Sequence, residues 1–316
     1  MFSQHFTLRS RILTLGFVVT IICLLANLSV NIQLTLLTII MLVTGIPHGS
    51  LDFYLEEQRY AKQKRRINRV VFFAKYLLYM LVYGILWFFL PNLSLIVFIC
   101  ITAYHFGEID WILKNNKILN SILIFIYGLL MILFIITNHI DDTAPLIYVL
   151  LKKCFTIMQI VTIGANILLC CKIGFCIIMA FIFTVRKSIN WSLRDFNDFL
   201  MQTLLIYVIC TLMPFYLSFT FYFGIWHSTL SFDVIRRQLN FTNTMQGWEK
   251  MIKKSLPFVI IAVFALLIFS FFNYLSFFSS TVLTSLIVGI AVLTLPHLQV
   301  FSKAVRAASI INQRNF

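Results

Sequence analysis

Runs of about twenty apolar residues recur along this chain, near 11–30, 33–55, 70–90, 93–111, 119–137, 155–185, 199–235, 255–276 and 281–302. At a rise of 1.5 Å per residue, about 20 such residues cross the roughly 30 Å hydrocarbon core of a bilayer as a helix. Inside that core every backbone N–H and C=O must find a partner within the protein, which leaves only helices or closed barrels. A barrel strand alternates apolar and polar residues over about ten positions, and these runs are continuously apolar. The predicted fold is therefore all-α, a polytopic transmembrane helix bundle of eight to ten spans. It forms a single integral membrane domain over residues 1–316. Composition agrees, because 60% of the 316 residues are hydrophobic and 11% charged, with mean hydropathy +0.94. Soluble domains are roughly half apolar and about a quarter charged, so no length remains for a separate soluble domain.

The charge is strongly positive, with 25 Lys and Arg against 11 Asp and Glu. In a soluble chain this would raise the question of nucleic acid, but here the basic residues bunch between apolar runs, as in Arg59, Lys62, Lys64, Arg65, Arg66 and Arg69. Such clusters mark cytoplasmic loops, and the run at 59–69 also suits anionic lipid. No nucleic-acid partner is expected; the partner is the lipid bilayer. Basic segments also occur at Arg9 and Arg11, Lys114 and Lys117, Arg236 to Lys254, and Lys303 to Arg314. The connections at 91–94 and 277–280 are uncharged, and 138–143 is acidic. Both termini are then cytoplasmic and the span count is even, in a multi-pass protein of the inner (plasma) membrane. The first run, which lacks a small-residue cleavage site, reads as an uncleaved helix. Lys152, Lys153, Lys172, Arg186 and Lys187 interrupt 144–213 and Pro214 breaks the run to 235, so either eight or ten spans fit. The seven cysteines show no C-x-x-C spacing and suggest neither a disulfide frame nor a thiolate metal site.

Ionisable groups inside a membrane are costly and default to function. Four of the six histidines lie inside apolar runs: His48 in G-I-P-H-G-S-L-D, His105 in A-Y-H-F-G-E-I-D, His227 in F-G-I-W-H-S-T-L-S and His297 in T-L-P-H-L-Q. Each precedes the next basic residue by similar distances, about 11, 9, 9 and 6 positions, which sets four imidazoles at similar depth near the cytoplasmic side. Imidazole without thiolate suits iron, zinc, copper or nickel, and facing helices of a bundle build such sites. His5 and His139 lie in the N-terminal tail and the acidic loop and read as solvent residues.

Carboxylates gather at the same places, since Asp52, Glu108, Asp110 and Asp233 each fall within six residues of one of these histidines. Metal-bound imidazole commonly donates its other N–H to a carboxylate. On a continuous helix Asp52 (i+4 from His48) and Glu108 (i+3 from His105) share a face with their histidine, whereas Asp110 and Asp233 point elsewhere, toward a neighbouring helix. The aromatic run F-T-F-Y-F-G-I-W leads into His227. Phe221, Tyr222, Phe223 and Trp226 are therefore candidates to line a flat, apolar, conjugated substrate.

P-H-G-S-L-D at His48, Y-H-F-G-E-I-D at His105, Y-F-G-I-W-H-S at His227 and L-P-H at His297, in this order, resemble the Brp/Blh family of membrane β-carotene 15,15′-dioxygenases found beside microbial rhodopsins. The resemblance implies a non-haem Fe(II) enzyme that cleaves the central double bond of β-carotene with O2 into two retinal molecules, the chromophore of a rhodopsin recipient. It carries His48, His105 and His227 over as iron ligands. Family members typically place a second histidine four residues after the third ligand, and here that position is Ser231. The fourth ligand is then open among His297, a three-histidine site and a site that has lost activity; the depth of His297 favours it.

Two readings of other classes compete. A proton- or ion-coupled transporter would use His48, Asp52, Glu108 and Asp110 as a relay, and a bis-histidine haem carrier would show a Soret band.

Overall fold

The computed structural model describes residues 2–111, 118–151, 154–275 and 282–314. Lys114, Lys117, Lys152, Lys153, the connection 277–280 and residue 281 lie outside the described residues. Within them the chain is helical, with no strand. In order it forms α1 (Phe2–Ala26), α2 (Val30–Ile40), a π-helical turn (Met41–Gly45), α3 (Ile46–Gly49), α4 (Asp52–Lys62), α5 (Arg69–Phe89) and α6 (Pro91–Asp110). Next come α7 (Ile118–Thr137), α8 (Ile140–Leu150), α9 (Ile157–Val185), α10 (Leu193–Leu212), α11 (Phe215–Phe219), a second π-helical turn (Thr220–His227), α12 (Ser228–Gln238), α13 (Met245–Leu275) and α14 (Val282–Arg314).

Seven helical segments among the described residues are long and apolar enough to cross a membrane. Leu25, Val70, Leu77 and Met158 leave more than half of their surface uncovered. Apolar exposure on that scale suits lipid rather than water. The chain is an all-α polytopic membrane protein. The apolar run at 155–185 falls in one helix, α9, and the run at 199–235 is broken at Pro214 into α10 and the contiguous stretch of α11, the second π turn and α12. Between α7 and α9, α8 has 11 residues and spans only about 16 Å, half a hydrocarbon core.

Helix ends follow local chemistry. Asn27, Asn190 and Asn240, with Lys64, take positive φ just after α1, α9, α12 and α4; asparagine adopts this left-handed geometry more readily than other residues with a Cβ. Ser192 and Asp195 form a reciprocal capping box at the start of α10, and the Asn68 side chain accepts from Val71 N at the start of α5.

The chain divides into two compact units. The first comprises Met1–Gly45, Ala103–Ala144 and Ile157–Leu230. Here α7 packs on α9, α1 on α10, and α11 with the second π turn on α2. A close approach joins α6 and α7: a Cβ on Gly107 would lie 2.1 Å from Ile124 O, and one on Gly128 would lie 1.9 Å from Ala103 O. Only glycine admits backbones this close, as at small-residue helix contacts in membranes.

The second unit comprises Ile46–Thr102, Pro145–Thr156 and Ser231–Phe316. In it α14 packs on α4 and α5, and α13 on α3. Tyr83, Trp87, Leu150 and Ala291 form its buried core, while Phe53, Phe73 and Phe258 stack in sequence at 5.3 and 6.0 Å.

Candidate functional site

In the first unit α6 presents His105 and the second π turn ends on His227. Their rings lie 4.7 Å apart at 71°, and both side chains are buried. A π turn widens the helix by one residue and often marks a functional position. Two features support it here. Ser228 Oγ donates to Phe223 O, five residues back, at 2.8 Å. Thr44 Oγ, in the first π turn, lies 2.6 Å from Gly224 O, and a Cβ on Gly224 would come within 2.6 Å of Ile40.

Phe106 stacks on His227 at 3.7 Å. It meets Phe223 at 4.4 Å, which stacks on Phe219 at 4.1 Å, so an aromatic ladder runs from half-buried Phe219 and Phe223 to the imidazole. Phe221, Tyr222 and Trp226 are buried. Asp110 holds two of them, accepting from Tyr222 OH at 2.8 Å and Trp226 Nε1 at 2.7 Å.

In the second unit His48 and His297 lie 5.0 Å apart at 81°. Each follows a proline, Pro47 and Pro296, which removes a backbone N–H one residue before the imidazole. His297 Nδ1 bonds Asp52 Oδ1 at 2.8 Å, and Tyr76 OH donates to Asp52 Oδ2 at 2.9 Å. A carboxylate accepts, so the imidazole proton is on Nδ1 and Nε2 carries the lone pair. The i+4 expectation paired Asp52 with His48. The helix instead stops at Gly49, Ser50 and Leu51 turn, and α4 restarts at Asp52, which re-aims the carboxylate to His297.

Glu108 is buried one turn after His105, and Ser231 is fully buried on α12. Asp233 forms ion pairs with Arg236 at 2.8 Å and Arg237 at 2.9 Å on its own helix. His139 departs from the expectation of a solvent residue. It is half-buried, its Nε2 lies 2.9 Å from Cys210 O and 3.3 Å from Ser218 Oγ, because α8 begins at once after α7 and folds the 138–143 segment back onto the α10–α11 junction. The side chain of His5 lies outside the described residues.

Sequence reasoning missed Phe106, Tyr76 and Thr44. Phe106 adjoins His105 and was open to notice; Tyr76 and Thr44 join partners 24 and 180 residues away, which no local pattern reveals.

The donor chemistry fits a borderline first-row metal. Each unit brings one pair of imidazoles together, no thiolate approaches them among the described contacts, and one imidazole already has its tautomer fixed by a carboxylate.

A family model described as beta-carotene 15,15'-dioxygenase matches residues 39–304. The chain belongs to this family. It is therefore an oxygenase, and the matched segment contains His48, His105, His227 and His297 and begins after α1. Beta-carotene 15,15'-dioxygenase of uncultured marine bacterium 66A03 is 23% identical over 258 residues, covering 80% of this chain and 87% of that relative. No solved structure matches.

Proposed function

We propose that this protein cleaves the central 15,15′ double bond of β-carotene with O2 to give two molecules of retinal, at an Fe(II) ion whose ligands are His48, His105, His227 and His297. The observation that carries the reading is the family match across a segment containing all four histidines, joined to the ring-to-ring pairing of two imidazoles within each unit. Iron(II) under imidazole ligation supplies open positions for dioxygen and a redox-active centre for its activation.

The chain's own residues bind, orient and exclude water. Asp52 holds His297 in one tautomer and Tyr76 holds Asp52. Asp110 fixes the π turn that ends on His227, and Glu108 supports His105 from the following turn. Asp233 braces the second half of α12 through its two arginines. The polyene offers no polar atom near its centre, so it is held by apolar contact alone. Phe219, Phe223 and Phe106 give a stacked wall for it, backed by Phe221, Tyr222 and Trp226. The balance is one O2 consumed, one C=C bond broken, and one oxygen on each of the two new aldehyde carbons. A retinal-binding rhodopsin is the recipient.

The reading includes ten crossings of the plasma membrane, with Phe215–Gln238, α13 and α14 joining the seven apolar segments. Both termini and the basic loops lie on the cytoplasmic side, and the whole chain acts as one membrane domain.

Expression in a carotene-accumulating bacterium tests the activity. The expected result is bleached cells whose extract contains retinal. Orange cells with inserted protein and no retinal would overturn it, and shorter apocarotenals would move cleavage off centre.

A further inference from the structure

The helix that precedes the family-matched segment is built into the first unit's histidine pair. Asp110, at the end of α6, is fully buried and binds Tyr222 and Trp226, the residues five and one before His227. It thereby ties α6, which carries His105, to the π turn that ends on His227. A carboxylate this deep needs a compensating cation, because an uncompensated buried charge is strongly unfavourable.

Arg9 of α1 is the cation beside it. Its guanidinium donates to Ile109 O at 2.6 Å and Asp110 O at 3.0 Å, the last carbonyls of α6, and to Gln202 Oε1. Gln202 in turn donates to Asp110 O at 3.1 Å. The guanidinium carbon lies 5.7 Å from the Trp226 ring centroid. A cation at a helix C-terminus complements the helix dipole, and this one also lies over the aromatic ring that donates to Asp110. Further along α1, a Cβ on Gly16 would lie 2.3 Å from the Phe221 ring, so α1 packs closely on the π turn as well.

We infer that Arg9 is a positioning residue: with Gln202 it clamps the end of α6, offsets the Asp110 charge, and through Asp110 sets His105 against His227. The functional part of this inference rests on the proposal that these histidines are metal ligands; the structural part does not.

The test is a thermal-unfolding cycle on the full chain in detergent micelles, with Arg9→Met, Asp110→Asn and the double variant. Arg9→Met is expected to melt about 5 °C or more below the parent. The double variant is expected to melt no lower than Arg9→Met alone, because neutral asparagine no longer needs the guanidinium. Losses that simply add would overturn the inference and leave Arg9 as a packing residue. Arg9→Lys, which keeps the charge and loses the fork, is expected to recover part of the melting temperature. A second readout is Co(II) bound to metal-stripped protein, followed by visible absorption. Arg9→Met is expected to weaken it by about 10-fold, the range for outer-shell changes, and unchanged affinity would overturn the positioning role. Parent protein that takes up no Co(II) would count against the metal reading instead, and the melting cycle would still decide on Arg9.

Discussion

At the scale of single residues, His297 decides the proposed ligand set. Ser231 stands where the resemblance leads one to expect a histidine, and a neutral hydroxyl is a poor iron ligand. His297 has what a ligand needs: burial, an imidazole neighbour at 5.0 Å in His48, and a carboxylate on Nδ1 that leaves Nε2 as donor atom. His297→Ala is therefore expected to lose iron as fully as His48→Ala, while Ser231→His adds little or crowds the site. Asp52→Ala, which keeps every imidazole, is expected to lower iron affinity by about 10–100-fold. Metal analysis of the purified variants checks all four. Full iron retention in His297→Ala, with higher occupancy in Ser231→His, would leave a three-histidine site as the better account. The four histidines and Asp52 were legible in the sequence because ionisable residues stand out in apolar runs. The partner of Asp52 was not, since the turn at Ser50 and Leu51 breaks the i+4 rule and the true partner is 245 residues away.

At the scale of elements, α6 is held by a close backbone contact with α7. Gly107 against Ile124 O and Gly128 against Ala103 O leave no room for a methyl group, and both contacts lie within two residues of His105 along α6. Gly128→Ala must push the helices apart, and overpacking typically costs about 1–3 kcal/mol. The expected outcome is a lower melting temperature together with reduced retinal formation in membranes. An unchanged melting temperature would show that the helices separate without cost. The helices themselves were legible, because continuous apolar runs at membrane length permit little else. Even the division of the run at 199–235 was marked by Pro214. The two π turns were not legible, since Met41–Gly45 and Thr220–His227 read as ordinary apolar helix. They depend on a tertiary contact, Thr44 against Gly224, together with the local bond of Ser228 to Phe223 O, which compensate a widened turn. The role of α8 was hidden for a different reason: eleven residues with two aspartates at the start resemble a loop until packing is known.

For the whole molecule, orientation follows from charge distribution. Arg59, Lys62, Lys64, Arg65, Arg66 and Arg69 surround the α4–α5 connection, and Arg236, Arg237, Lys250, Lys253 and Lys254 surround the α12–α13 connection. Lys253 and Lys254 are exposed, as the proposed orientation requires of cations in a headgroup region. The α5–α6 connection at Leu90 carries no charge, and Asp141 and Asp142 open α8. Basic residues resist translocation far more than acidic ones do, so the proposed orientation places the first two connections inside and the last two outside. Counting crossings between them gives a separate check: α5 alone joins Lys64 to Leu90, which must then lie on opposite faces, and α6 with α7 join Leu90 to Asp141, which must share one. In a cysteine-free background, a cysteine at Lys64 or Asn243 is expected to react with an impermeant maleimide only after the cells are opened, and one at Asn92 or Asp141 to react in intact cells. Labelling of Lys64→Cys from outside would invert the orientation. Labelling of Asn92→Cys and Asp141→Cys from opposite sides would instead keep the orientation of the first loop and break the crossing count at α6 and α7.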